Sequence, residues 1–154
     1  MIQTRTTCPR DLMADLTMKA MNRAHRTVLS LSGGRLLSSA LGMPAVELHT
    51  IGRRSGQRRS TMLTAPVYED HRVVLVASKG GDHRYPDWYR NLVAEPDVEL
   101  TVGGRTRAMR ARTASTAEKA ELWPRIVTAY KGYAGYQRRT SRDIPVVICE
   151  PRND

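Results

Sequence analysis

The chain has 154 residues, enough for one domain with its own core, and 25 Lys and Arg against 15 Asp and Glu give a formal net charge of +10. No segment approaches the roughly 20 apolar residues that cross a bilayer, Cys8 and Cys149 are too few for a disulfide scaffold, and the histidines lack zinc-ligand spacing. We therefore expect a single domain over residues 1–154 in the cytoplasm, with free thiols, no metal, and a negatively charged ligand or partner.

The first predicted element is an amphipathic helix within an amino-terminal segment, residues 1–32. From Asp11 to about Ser32 apolar residues recur at spacings of three and four, and Gly33-Gly34 ends the pattern. The apolar positions are Met13, Leu16, Ala20, Ala24, Val28 and Leu31. Two interpretations stay open: the helix docks on its own domain, or its basic side contacts anionic lipid at the inner face of the membrane.

Short β-rich runs separated by turn residues follow, and they predict a mostly antiparallel sheet of about six strands. The predicted strands are Val46–Ile51, Ser60–Tyr68, Arg72–Ala77, Val98–Val102, Thr106–Arg112 and, near the carboxyl end, Ile144–Cys149. Glycine pairs and acidic turn residues lie between them, and no βαβ alternation is present. The pattern favours a small antiparallel barrel over residues 44–151.

Two helices are predicted between the later strands. Pro86–Val93 has proline at its first turn, and Ser115 with Glu118 forms a capping box that begins a second helix. Pro124 either kinks that helix or begins another, because proline removes an interior hydrogen bond. Together with the strands, these helices place the chain in the α+β class.

Two glycine-punctuated basic segments suggest an anion cradle. Gly52–Arg59 carries four arginines, and Val73–Gly81 is an apolar run that ends in Ser78, a lysine and two glycines. Glycines let backbone N–H groups approach a ligand closely, and arginine and lysine bind phosphate or carboxylate. The alternative is a solvated hairpin turn, because exposed charge runs are usually no more than that.

Three of the six tyrosines fall in one short span, whereas the chain has no phenylalanine. Tyr130, Tyr133 and Tyr136 alternate with glycines, and phenols are favoured where one end of a ring is apolar and the other is wet. The span therefore indicates either the wall of a pocket for a flat substrate or a helix end that packs its rings on the barrel.

Five segments, in this order and over about residues 12–151, resemble the deazaflavin (F420)-dependent nitroreductase family of actinobacteria, which includes F420H2-dependent quinone reductases. The segments are Leu48-His49-Thr50-Ile51-Gly52-Arg53-Arg54-Ser55-Gly56, Ala77-Ser78-Lys79-Gly80-Gly81, Pro86-Asp87-Trp88-Tyr89-Arg90-Asn91-Leu92, the tyrosine trio, and Thr140-Ser141-Arg142-Asp143-Ile144-Pro145-Val146-Val147. The resemblance implies a split β-barrel related to flavin-binding barrels. It also implies an oxidoreductase that uses reduced coenzyme F420 to reduce quinones, nitroaromatics or activated alkenes.

The resemblance also implies site residues. The phosphate and tail carboxylates of F420 would meet Arg53, Arg54, Arg59 and Lys79. The ring would be bordered by Thr61, Met62, Leu75, Val76, Ala77, Ser78, Lys79, Gly80 and Gly81, and the pocket shaped by Trp88 and Asn91. Catalytic roles would fall to Ser78 and Tyr133, which orient the acceptor, and to Tyr130 and Tyr136, which form walls or a lid.

The sequence departs from the family pattern on the ring side of the pocket. Met62 stands where many relatives have proline, and the stretch Leu63–Glu69 is one residue longer. Substrate preference is therefore not carried over with the cofactor.

Three other functions remain open from the residues alone. A basic barrel with surface aromatics is compatible with single-stranded nucleic acid, although the tyrosines do not lie along strands as a stacking platform requires. Fold analogy also admits an FMN-dependent reductase and a non-enzymatic cofactor or lipid carrier.

Overall fold

The computed structural model describes residues 42–153 together with Lys19 and Ala20. Lys19 and Ala20 are helical and exposed. The rest of the predicted amino-terminal helix, and Cys8, lie outside the described residues.

The described residues form one curled antiparallel sheet of seven strands. Their bounds are β1 Ala45–Ile51, β2 Arg58–Thr64, β3 Val67–Glu69, β4 Arg72–Val76, β5 Asp97–Val102, β6 Arg105–Thr113 and β7 Val146–Pro151. Their order across the sheet is β2-β1-β5-β6-β7-β4-β3, and every pair is antiparallel. The α+β class and the antiparallel barrel predicted from the sequence are therefore confirmed.

The prediction of one strand over Ser60–Tyr68 is wrong. The structure breaks it after Thr64, and Val67 begins β3. Pro66 has no N–H for a sheet ladder, and the Ala65 N–H donates to the carbonyl oxygen of Pro44 at 3.0 Å. Because β2 and β3 are opposite edges of the sheet, this break lets the chain pass from one edge to the other. The sheet consequently has seven strands, one more than predicted.

Three α-helices lie within residues 42–153: α1 Asp87–Ala94, α2 Thr116–Ala129 and α3 Gly132–Arg139. The capping box at the start of α2 is present, with the Glu118 N–H donating to Ser115 Oγ at 3.2 Å and the Ser115 N–H donating to Glu118 Oε2 at 2.8 Å. Helix α2 continues past Pro124, so this proline does not begin a further helix.

Alternation along β4 and β7 divides the core into two clusters. Val73, Leu75 and Cys149 lie inside the barrel with Trp88, whereas the intervening residues, such as Val74, pack under α2 and α3. Both strands are therefore buried on both faces, which explains their continuous apolar runs. Among the described residues, no helix is long and apolar enough to cross a membrane.

Candidate functional site

Strand direction brings most of the predicted site to one end of the barrel. In the order β1-β5-β6-β7-β4 the directions alternate, so the carboxyl ends of β1, β6 and β4 meet at the same end, which we call the upper end. The arginine turn after β1 and the lysine turn after β4 both lie there. Strands β5 and β7 begin at this end, and they follow α1 and α3 in the chain.

The arginine turn, Gly52–Gln57, is closed by two backbone hydrogen bonds. The Gly52 N–H donates to the Gln57 carbonyl at 2.8 Å, and the Gly56 N–H donates to the Gly52 carbonyl at 2.8 Å. Gly56 has φ +67°, which favours glycine. Arg54 is exposed, so its guanidinium is available to an anion.

Arg53 and Asn91 form a joint between this turn and α1. The backbone N–H and Nη1 of Arg53 both donate to Asn91 Oδ1, at 3.2 and 3.0 Å, and Nη2 lies 3.2 Å from Asp87 Oδ1. Asn91 is buried, and its Nδ2 donates to Thr50 Oγ1 at 3.3 Å. The structure therefore shows these two predicted cofactor residues hydrogen-bonded to each other, whereas Nη2 of Arg59 donates to Ser55 Oγ at 3.4 Å.

The lysine turn, Ser78–Gly81, has the backbone geometry of an anion-binding nest. Ser78 is right-handed helical (φ −76°, ψ −35°), and φ then becomes positive at Lys79 (+45°), Gly80 (+64°) and Gly81 (+82°). Positive φ is uncommon for a lysine and implies local strain. Successive right-handed and left-handed residues turn their N–H groups toward one concavity, which favours an anion.

Asp82 ends the lysine turn as an ionised group. Its carboxylate accepts from the Arg84 guanidinium at 2.8 Å, and this hydrogen bond, with the nearby positive charge of Lys79, lowers the pKa of Asp82 from 3.8 to about 2. The carboxylate is thus already neutralised by Arg84, and the turn keeps a basic character.

Helix α3 packs directly on the lysine turn, which joins the predicted tyrosines to the predicted cradle. A Cβ placed on Gly81 would lie 2.8 Å from the Tyr136 carbonyl oxygen and 2.9 Å from Arg139 Cβ. Only glycine therefore allows this approach.

The three tyrosine rings form one cluster with different exposure. Ring centroids are 5.4 to 6.2 Å apart, and the hydroxyls of Tyr130 and Tyr136 are 3.5 Å apart. Tyr133 is 6% exposed, and its hydroxyl lies 3.2 Å from Thr64 Oγ1. Burial raises the pKa of Tyr133. Tyr133 is thus part of the helix-side core, and Tyr130 and Tyr136 are its half-buried neighbours.

Strand register limits which predicted ring-side residues can share one face. Thr61 pairs with Leu48, whose side chain lies inside the barrel, whereas Met62 pairs with Glu47. Thr61 and Met62 therefore lie on opposite faces of β2. Leu75 and Val76 are divided in the same way between the two core clusters, with Ala77 on the barrel side. Trp88 is 8% exposed and packs in the barrel core.

Arg142, which the sequence analysis left without a role, also reaches the lysine turn. Its Nη2 donates to the carbonyl oxygen of Ser78 at 3.0 Å. The two residues are 64 positions apart, and no local pattern in the sequence signals such a contact.

A cavity of about 280 Å³ lies at the other end of the barrel. Its lining residues come from the β3–β4 and β5–β6 hairpins and the adjoining strands: Tyr68, Asp70, Val73, Leu100, Val102, Arg105, Arg107 and Met109. None of the predicted site residues lines this cavity. Residues 42–153 also contain no group of three or more His, Cys, Asp or Glu side chains that could hold a metal ion.

Several known proteins are similar to this chain. Residues 20–151 match the F420H(2)-dependent quinone reductase family. An F420H(2)-dependent quinone reductase of Mycobacterium tuberculosis (strain H37Rv) is 39% identical over 135 residues, covering 84% of this chain and 89% of the relative.

Two solved structures are also similar. An F420-H2 dependent reductase (FDR-A) has a TM-score of 0.63 and 40% identity, over 70% of this chain and 94% of its own. A domain-swapped dimer has a TM-score of 0.64 and 32% identity, over 93% of this chain and all of its own. The split-barrel fold and the resemblance predicted from the five motifs are thereby confirmed, and with them an F420-dependent oxidoreductase. The chain belongs to the F420H(2)-dependent quinone reductase family.

Proposed function

We propose that this protein binds reduced coenzyme F420 at the upper end of the barrel and catalyses hydride transfer from it to a quinone. The observation that carries the proposal is the lysine turn, where a right-handed Ser78 followed by a left-handed Lys79 turns backbone N–H groups toward one concavity. F420 carries a phosphate and a polyglutamate tail, so its acidic portion fits such a turn.

The basic side chains near the turn have separate roles in this proposal. Lys79 and the exposed Arg54 and Arg59 bind the phosphate and tail carboxylates. Arg53 acts through its hydrogen bonds to Asn91, which hold the arginine turn against α1. Contacts of this kind are partly exposed, so affinity for F420 should fall as salt rises.

The acceptor site in this proposal lies beside the tyrosine cluster. Reduced F420 supplies the hydride, and the protein contributes orientation, exclusion of water and hydrogen bonds to the acceptor oxygen. Ser78, Tyr130 and Tyr136 are the donors that we assign to the acceptor. Ser78 lies in the lysine turn, Tyr136 lies on α3 where that helix packs on Gly81, and the Tyr130 hydroxyl is 3.5 Å from that of Tyr136. Tyr133 supports them from the core, where its hydroxyl lies 3.2 Å from Thr64 Oγ1.

The range of acceptors and contact with the membrane are also proposals. Nitroaromatics and activated alkenes accept a hydride as quinones do, so they are candidate acceptors of the same site. Peripheral contact with anionic lipid is proposed for the basic amino-terminal segment, because a membrane quinone would be met there.

Cofactor binding is tested by titrating the protein with oxidised F420 and following the fluorescence of the coenzyme. The expected result is saturable binding that weakens with salt, with FMN and a single-stranded oligonucleotide as controls. Saturable FMN binding without F420 binding would replace the proposal by an FMN-dependent reductase.

The role of the tyrosines is tested by Tyr133→Phe and Tyr136→Phe. Tyr136→Phe should lower turnover with a quinone by about tenfold or more, the scale of one lost hydrogen bond to a developing charge. Tyr133→Phe should mainly lower stability, by about 1 kcal/mol, because it removes a buried hydrogen bond. Unchanged turnover in both variants, across several acceptors, would remove the tyrosines from the proposal.

A further inference from the structure

The guanidinium of Arg142 contacts the lysine turn from both sides. Its Nη2 donates to the carbonyl oxygens of Ala77 and Ser78, at 3.1 and 3.0 Å, and its Nε donates to the carbonyl oxygen of Asp82 at 2.9 Å. Two of these acceptors precede Lys79 and one follows Gly81. A single planar side chain thus spans the whole segment that carries positive φ angles.

The backbone at Arg142 is itself held in place by α2 and α3. Gln137 of α3 donates through Nε2 to the Arg142 carbonyl at 2.8 Å, and its Oε1 accepts from the Ile144 N–H at 2.9 Å. Lys119 of α2 donates to the Ile144 carbonyl at 2.7 Å. The guanidinium therefore starts from a fixed point, which makes its three hydrogen bonds geometrically specific.

The environment of Arg142 combines a favourable contact with a costly one. Its guanidinium carbon lies 5.0 Å from the centre of the Tyr85 ring, and Nη1 is buried with no hydrogen-bond partner in the part of the chain that the structure describes. Burial lowers the pKa of Arg142. An unsatisfied buried donor is costly, and this cost is offset by the hydrogen bonds that Nε and Nη2 donate to the turn and by the contact with the Tyr85 ring.

Lys79 explains why the turn needs such a clamp. A lysine at φ +45° is strained, and an unrestrained turn would relax toward negative φ and lose the convergence of its N–H groups. The three carbonyls held by Arg142 prevent that relaxation because they fix the peptide planes on either side of the strained residues.

We infer that Arg142 is a positioning residue, which keeps the Ser78–Gly81 turn in its anion-binding conformation without contacting the ligand. The inference rests on the proposed function for the identity of the anion. Its consequence is that loss of Arg142 should weaken F420 binding through the conformation of the turn.

The first test compares Arg142→Met and Arg142→Lys with Arg125→Met, a control that removes the same charge from α2, where Arg125 pairs with Glu69 at 2.9 Å. Both Arg142 variants should raise the dissociation constant of F420 by about tenfold or more, and the control should not. At saturating reduced F420, kcat should stay within about a factor of two of the wild type, because the residue does not contact the reacting atoms. Equal affinity in all three variants would overturn the inference.

A double-mutant cycle tests the route of the effect. Asparagine tolerates positive φ better than lysine, so Lys79→Asn relieves the strain that Arg142 restrains. Arg142→Met should therefore weaken F420 binding by a smaller factor in the Lys79→Asn background than in the wild type. Equal factors in both backgrounds would refute action through the strained turn.

Amide hydrogen exchange of residues 78–82, measured without any ligand, tests the role of Arg142 independently of F420 binding. Arg142→Met should speed exchange there, whereas Arg125→Met should not. A wild-type protein that fails to bind F420 refutes the proposed function, and the exchange comparison then decides the clamp alone. If exchange in the turn is unchanged in Arg142→Met, no clamp exists.

Discussion

Replacement of Gly81 by alanine tests the contact that joins the lysine turn to the tyrosine helix. Gly81 has φ +82°, and an added Cβ would lie 2.8 Å from the Tyr136 carbonyl oxygen and 2.9 Å from Arg139 Cβ. Neither atom is the far end of a flexible side chain, so α3 must move away from the turn.

Gly80 provides a matched control in the same turn. Its φ is +64°, but a Cβ there would meet nothing within 4 Å. Gly80→Ala should therefore cost only the backbone strain of a left-handed alanine, about 1 kcal/mol. Gly81→Ala should cost that amount plus overpacking of about 1–3 kcal/mol, so about 2–4 kcal/mol in total.

Urea unfolding of both variants measures this difference, and F420 titration measures its consequence. Gly81→Ala should be at least about 1 kcal/mol less stable than Gly80→Ala, since overpacking is the only added cost. It should also lose more affinity for F420. Equal loss of stability in the two variants would mean that α3 does not rest on the turn as described.

Three further results are expected. Asp82→Asn should lower the free energy of unfolding by about 1 kcal/mol near neutral pH, a value discounted for solvent screening, because the bond to Arg84 lowers the pKa of Asp82 from 3.8 to about 2. Since the folded pKa is depressed, the wild-type advantage should be complete above about pH 4 and vanish as pH falls toward 2; a pH-independent difference would contradict the assignment. Burial raises the pKa of the Cys149 thiol to about 12, so the thiol should be unreactive in the folded protein. In a Cys8→Ser variant, a thiol reagent at pH 8 should therefore label the protein only after unfolding. Rapid labelling of the folded variant would contradict the burial of Cys149. Arg53→Ala should lower the free energy of unfolding by about 1 kcal/mol, because it removes a side-chain hydrogen bond to Asn91 of α1. Arg54→Ala is the control and should change it by less than about 0.5 kcal/mol. Equal effects of the two substitutions would show that Arg53 does not hold the turn against α1.

Most of the fold could be predicted because its signals are local. Alternation, glycine turns and the Ser115 capping box lie within a few residues of the elements that they specify. The sequence does not predict the break between β2 and β3, because Ser60–Tyr68 is a nearly continuous β-rich run in which only Pro66 disfavours a strand. Which sheet edge each half joins depends on long-range pairing, which a local pattern does not contain.

The candidate site was predicted as a set of residues but not as a set of contacts. Lys79 and the glycines that follow it predict an anion-binding turn, since few residue types suit a left-handed turn next to an anion. The hydrogen bond between Arg53 and Asn91 could not be predicted from the sequence, because both side chains are equally suited to bind a ligand. Arg142 lies in one of the five family-like segments, but its contact with the turn depends on a loop held by α2 and α3, which a local pattern does not specify.

Hydride transfer itself can be measured under anaerobic conditions by mixing the protein with reduced F420 and a water-soluble menaquinone analogue. The return of the visible absorbance of oxidised F420 should depend on the protein, saturate with both substrates and slow when Lys79 is changed to alanine. Oxidation at the same rate with and without protein, or turnover with reduced FMN in place of F420, would contradict the account.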